Sequence, residues 1–347
     1  MISPKHFLHY SSLAWGVAIV FFVTTVPAAA KELRFTANWV FEASNAPFLL
    51  AAERGYFSDE DLDVTIDAGE GSSAVITRIA SGRYQFGFGD INTMIEFNAQ
   101  NPNDQQRMVY MIYNRPPMGV VTLKGSGIEH PRDLEGKSVG APVNDTAYRL
   151  FPVLAAALNI DASQVKFDNV SPNLREPMLY RGQVDAIMSF PPSSYVNLLQ
   201  LGVDADDIRI MYYTDYGISM YSNGVIVPAK MIEEEPEVVE DIVRAVNRAW
   251  MATIENPEAA IDALVRRDSL IDRDLEMQRM EFYLDNQIIT DEVRELGLGA
   301  VDAERLKESI DVVSKVFGVE NPPAPDQVFD SRFLPPLEER MLNVGGR

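Results

Sequence analysis

The sequence predicts an α/β protein of two lobes, each a mostly parallel sheet flanked by helices, with a cleft between them. Three observations point there. Short β-rich runs alternate with helical patterns along most of the chain, the arrangement that builds parallel sheets covered on both faces. The alternation starts afresh after Leu123, which divides it into two series. The chain has 347 residues, about twice the usual length of one domain.

The first series opens on a strand at 33–37. Ser44-Asn45-Ala46-Pro47 can cap a helix, with proline near its first turn, that continues over 48–54 and ends at Gly55. A strand at 62–66 leads to the turn Gly69-Glu70-Gly71-Ser72-Ser73, which opens a helix running to about Ser81 and stopped at Gly82. A strand at 85–89, a helix at 92–99 and strands at 108–113 and 119–123 complete this series. The second holds a short helix at 131–134, a strand at 138–141, a helix at 145–158 and a strand at 165–169. Ser171-Pro172 starts a helix to about Arg181, followed by a strand at 185–189, a helix at 193–201 and strands at 208–212 and 224–227. The chain then turns helical. Residues 234–255 place Val238, Ile242, Ala245, Val246 and Ala249 on one face, and helices at 257–266, 274–284 and 302–316 follow. The last thirty residues, with Pro322-Pro323-Ala324-Pro325 and Pro335-Pro336, read as a wrapping tail. The implied partition is 31–118 and 224–347 for the first lobe and 119–223 for the second. The crossings then fall near Met118-Gly119-Val120 and Ser222-Asn223-Gly224.

Residues 1–30 read as a secretory signal peptide, so a periplasmic protein is expected. Lys5 and polar residues precede a run of about fourteen mostly apolar residues from Leu13 to Val26, and Pro27-Ala28-Ala29-Ala30 is a small-residue cleavage pattern. The run is short against the roughly 20 residues of a membrane span. Cleavage removes one lysine, leaving 29 basic and 51 acidic residues and a charge of −22. That acidity argues against nucleic acid and against anionic lipid. Without cysteine there is no disulfide, thiolate nucleophile or cysteine-ligated metal. The three histidines, His6, His9 and His130, leave little room for a catalytic triad or a multi-histidine metal site. No catalytic residue, metal or cofactor is expected.

In open α/β sheets ligands bind beyond the carboxyl ends of the strands. Those ends offer Asn38, Trp39, Glu42 and Asn45, then Glu70, Gly71 and Ser72, then Asp90, then Tyr113 in the first lobe. In the second they offer Asn144, Asp145 and Thr146, then Phe190, then Tyr221. Aromatic walls with a few fixed polar groups suit a small organic ligand. The glycine turn at 69–73 lacks the lysine of a P-loop and the third glycine of a dinucleotide fingerprint.

Four stretches resemble the solute-binding proteins of ABC importers, in the nitrate/sulfonate/taurine-type group. That group includes binders of thiamine-pyrimidine precursors and shares a domain with pyrimidine-synthesising enzymes. The stretches are Asn45-Ala46-Pro47-Phe48-Leu49-Leu50-Ala51-Ala52-Glu53-Arg54-Gly55-Tyr56-Phe57, followed by Leu62-Asp63-Val64; Ile79-Ala80-Ser81-Gly82-Arg83-Tyr84-Gln85-Phe86-Gly87-Phe88-Gly89-Asp90, preceded by Gly69-Glu70-Gly71-Ser72; 128–140, containing Pro131-Arg132-Asp133-Leu134-Glu135-Gly136-Lys137-Ser138-Val139-Gly140; and Tyr180-Arg181-Gly182-Gln183-Val184-Asp185-Ala186. They span about 33–230. The resemblance implies a two-lobed periplasmic-binding-protein fold that closes on a small-molecule solute and delivers it to an ABC permease and ATPase complex, as a monomer. By motif it carries ligand binding to Trp39, Asn45, Gly71, Ser72, Asp90, Asn144, Thr146 and Phe190. Sulfonate and nitrate binders must neutralise an anion. Here the loops carry Glu42, Glu70, Asp90 and Asp145, with Arg115 and Arg149 as the nearby cations. Carboxylates repel an anion and suit N–H-rich or cationic ligands instead, so the expected solute is a nitrogen-containing heteroaromatic such as an aminopyrimidine. A binder of sulfonate or taurine-type anions and a pyrimidine-synthase-like enzyme are the alternatives.

Overall fold

A computed structural model describes residues 30–342 together with Met1. The segment read as a signal peptide lies, but for its two end residues, outside the described residues. The strands are β1 (Lys31–Thr36), β2 (Leu62–Asp67), β3 (Phe86–Asp90), β4 (Gln106–Met111), β5 (Gly119–Leu123), β6 (Ser138–Ala141), β7 (Lys166–Asn169), β8 (Ala186–Ser189), β9 (Ile208–Tyr212) and β10 (Asn223–Pro228). They form two five-stranded sheets, ordered β2-β1-β3-β10-β4 and β7-β6-β8-β5-β9. β10 runs antiparallel to both β3 and β4, and β5 runs antiparallel to both β8 and β9. Each sheet is therefore mixed, with four strands pointing one way and one returning. The chain leaves the first sheet after β4, builds the second, and comes back on β10.

Packing follows from composition. β3, Phe-Gly-Phe-Gly-Asp, is buried along its whole length. A Cβ at Gly87 would lie 2.6 Å from Val75 Cγ1 and 2.9 Å from Thr36 Cγ2, so its glycine lets the helix Ser72–Ala80 sit directly on the sheet. On the other face Phe35, Phe48, Phe86 and Phe88 stack in a chain with ring centres 4.5–5.3 Å apart. The helix Pro236–Glu255 buries Val239, Ile242, Val243, Val246 and Trp250 against them.

Two expected helices are divided, each next to a proline. The run expected over 234–255 breaks at Glu235 (φ −140°), because Pro236 pushes the residue before it out of the helical region. The run expected over 145–158 divides into Thr146–Arg149 and Phe151–Leu158, with Pro152 at the start of the second piece. The helix Asp291–Leu296, capped by Thr290, is an addition to the sequence reading. The tail runs along β4, where Asp330 N donates to Met108 O (2.9 Å). Among the described residues no helix is long and apolar enough to cross a membrane.

Candidate ligand-binding site

The chain leaving β1 runs directly into the space between the lobes. Gly69 N donates to Trp39 O (2.8 Å) and Gly71 N to Asn38 O (2.7 Å), which ties the loops after β1 and β2 together. Gly71 holds φ +118°, and a Cβ there would lie 2.2 Å from the Asn144 carbonyl oxygen of the second lobe. Glycine is what lets the lobes meet at this point. Beside it Thr146 Oγ1 donates to Ser72 Oγ (3.0 Å). Asp145 caps the helix Thr146–Arg149 by accepting from Ala147 N and Tyr148 N. Phe190 ends β8 and Ser193 follows in the first turn of the helix Pro191–Gln200. Asn38, Trp39, Glu42, Gly71 and Ser72 from one lobe face Asp145, Thr146, Arg175, Phe190 and Ser193 from the other across a cavity of about 20 Å³. That is room for about one water.

Charge is concentrated around this cavity. Arg175 is 1% exposed and crosses to the first lobe, its guanidinium 4.9 Å from the centre of the Trp39 ring. Its Nη1 donates to Asp145 (3.0 Å), its Nε and Nη2 to Glu176 (2.9 and 2.7 Å). Ser194 also donates to Glu176 (2.5 Å). Behind Glu42 stands a second cluster from the helix Arg273–Tyr283. Arg279 Nη1 lies 2.5 Å from Glu276 and 3.3 Å from Glu42, and Nη2 donates to Asn197 of the second lobe (2.8 Å). Glu42 also accepts from Ser193 across the cleft (2.6 Å). Burial outweighs the attraction of Arg175 and pushes the Asp145 carboxyl up to about 6. Burial likewise pushes Glu276 up to about 7 against the pull of Arg279. For both arginines burial opposes the charge, and the surrounding carboxylates outweigh it.

The remaining sequence-predicted residues stand apart from the cavity. Asn45 is buried behind it, its amide on Val40 O and Ser44. Glu70 points to solvent, its side chain 65% exposed and 3.9 Å from Arg78. Asp90 is spent as the cap of the helix Ile91–Gln100, accepting from Thr93 N, Thr93 Oγ1 and Ser222. Tyr113 stacks on Tyr283, ring centres 5.1 Å apart, and Asn144 meets the first lobe through its carbonyl. Tyr221 belongs to a clamp on the two crossings: it bonds Glu292, Arg305 lies over its ring, and Arg305 Nη2 donates to Asn114 O (2.7 Å). The cations expected near the loops are also elsewhere. Arg115 is exposed, and Arg149 pairs with Glu96. Arg175 takes their place at the cavity, with Arg279 behind Glu42.

The arrangement is a pocket between the lobes with two aromatic walls and buried carboxylates from both lobes. Residues 42–260 match the family model described as NMT1/THI5 like. The chain belongs to the NMT1/THI5-like family. Among NMT1/THI5-like relatives, the formylaminopyrimidine-binding protein of Halalkalibacterium halodurans is 24% identical over 306 residues, covering 87% of this chain and 91% of its own. The 4-amino-5-hydroxymethyl-2-methylpyrimidine phosphate synthase of Legionella pneumophila is 26% identical over 228 residues, covering 65% and 71%. The solved structure of the alkanesulfonate-binding protein from Xanthomonas axonopodis pv. citri bound to MOPS superposes with a TM-score of 0.66 at 13% identity, over 86% of this chain and 96% of that one. Its likeness fixes the fold of this NMT1/THI5-like chain as that of a periplasmic binding protein.

Proposed function

We propose that the chain is the extracytoplasmic substrate-binding component of an ABC importer, and that it captures a nitrogen-containing heteroaromatic solute, such as an aminopyrimidine, by hinge closure. The observation behind this reading is the makeup of the interlobe cavity. Trp39 and Phe190 offer flat apolar walls, and the charged groups on the lining are two carboxylates, Glu42 and Asp145, against one arginine, Arg175, with Glu176 and the Glu276–Arg279 pair behind them. The N–H groups of Arg175 are already directed at Asp145 and Glu176, so an incoming anion would meet carboxylates rather than open donors. The name of the Halalkalibacterium relative, which covers most of both chains, supports the same solute class.

Two other readings have an observation each. The arginines in the cleft favour a sulfonate-type anion, and the synthase names among the relatives favour an enzyme. Against the second, the sequence has no cysteine, and His130 is used as the cap of the turn Pro131–Leu134. Calorimetric titration with aminopyrimidines and alkyl sulfonates separates the first pair. Binding of the aminopyrimidine is expected, and binding of the sulfonate alone would overturn the proposal. Mass spectrometry of small molecules after prolonged incubation tests the enzyme reading: a carrier returns its solute unchanged.

A further inference from the structure

The walls of the interlobe cavity already hold a planar cation, and it belongs to the protein. Arg175 opens the helix Arg175–Tyr180 and reaches across the lobe boundary to lie on Trp39. Its Cζ lies over the ring, 4.9 Å from its centre, and its N–H groups meet Asp145, Glu176 and the hydroxyl of Ser194 (3.3 Å). A protonated amidine needs the same surroundings: an aromatic face below, carboxylates at the rim. Three further facts narrow the choice. Arg175 alone faces two carboxylates, Asp145 and Glu176, so the subsite on Trp39 has negative charge to spare. Asn38, on the cavity wall, has a buried side-chain oxygen that no protein donor meets. With the guanidinium on Trp39 and the lobes in contact the cavity is only about 20 Å³, so a ring-sized solute needs the lobes to part and competes with Arg175 for the face of the ring.

Resting on the binding reading above and extending it, we propose that the subsite on Trp39 is built for a planar, N–H-bearing cation of amidinium type, and that Arg175 is its resident competitor. The solute takes the place of the guanidinium on the ring and inherits its carboxylates. A neutral ring of the same shape would stack on Trp39 but leave the excess charge unmatched. The competition also explains how an acidic, closed site avoids facing itself: the arginine screens Asp145 and Glu176 until a better-placed cation arrives.

The test uses two probes of one shape, benzamidinium and neutral benzamide, titrated calorimetrically into the protein and into Arg175→Met. Benzamidinium should bind the wild type at least about tenfold more tightly than benzamide, and gain about tenfold more in Arg175→Met, where benzamide changes little. Equal binding of the two probes by the wild type, or none by either, overturns the assignment. A folded Arg175→Met that loses benzamidinium affinity overturns the competitor role and makes Arg175 a clamp. Arg175→Lys, which keeps the charge without the flat fork, is the second variant and should show a smaller gain of the same sign. An aminopyrimidine and an alkyl sulfonate titrated alongside separate the two levels. Aminopyrimidine binding without preference for benzamidinium sinks this assignment and leaves the importer reading intact; sulfonate binding alone sinks both.

Discussion

Trp39, on the cavity, and Arg279, behind Glu42, should fail differently. Trp39 packs against Arg175 of the other lobe and supplies the largest ring on the cavity. Trp39→Ala removes a stacking partner worth about 1–2 kcal/mol, so solute affinity should fall roughly 5–30-fold, and because the ring is buried the melting temperature should fall too. Unchanged affinity would mean the solute sits elsewhere. Arg279 is 2% exposed and is the shared partner of Glu42 and Glu276. Arg279→Met leaves two buried carboxylates without it and should cost about 3–5 kcal/mol in denaturant unfolding, part of which Glu276→Gln restores. The sequence makes these two residues unequally visible. Trp39 follows a strand, and the strand-end rule finds it together with Glu42, Gly71, Ser72, Thr146 and Phe190. Arg175 and Arg279 sit on helices and arrive by tertiary packing from far along the chain. A signal was nonetheless present. Glu276, Arg279, Met280 and Tyr283 are the buried positions of their helix, at core spacing, and a charged pair on a core stripe marks charges that must be used.

At the scale of elements, one loop decides whether the lobes can touch. The turn before the helix Ser72–Ala80 reads from sequence as a glycine-rich helix start, which it is. What the sequence does not disclose is that Gly71 faces the Asn144 carbonyl, a contact made between segments more than seventy residues apart. Gly71→Ala would drive a methyl into that oxygen and hold a positive φ that alanine rarely adopts. Its effect should fall on the closed form. Affinity is expected to drop by more than about tenfold, and the solute-free protein, whose lobes already meet at this contact, should melt lower as well. Small-angle scattering with saturating solute should then show a larger radius of gyration than wild type. Wild-type compaction and affinity in the variant would remove this contact from the closing motion. The divided helices show the same limit of legibility. Prolines announce Glu235 and the start of the helix Phe151–Leu158, whereas the helix Asp291–Leu296 is legible only once its Glu292 is seen holding Asn114 and Tyr221 at the crossings.

For the whole molecule, the two clusters make closure a question of protons as well as of contacts. Asp145 and Glu276 have pKa values raised by burial, to about 6 and about 7, above their ordinary carboxyl range. The closed form therefore binds more protons than the unfolded chain between about pH 4 and pH 7, and its stability falls as pH rises through that window. For Glu276 alone the loss is up to about 3 kcal/mol. Burial sets the size of this effect, and charged neighbours adjust it: Arg279 and Glu42 beside Glu276, Arg175 and Glu176 beside Asp145. The carboxylates with lowered pKa values, Asp67, Asp133, Asp161, Asp185 and Asp330, have the opposite slope, but at lower pH, where protonation removes their contribution. The solute-free protein should thus melt at a higher temperature at about pH 5.5 than at pH 7.5, and Glu276→Gln should flatten the difference. A cationic solute needs the ionised carboxylates, so its affinity should move the other way and rise across the same interval. Melting curves and titrations at the two pH values read these opposite slopes independently. If both rise together, the carboxylate clusters do not govern closure.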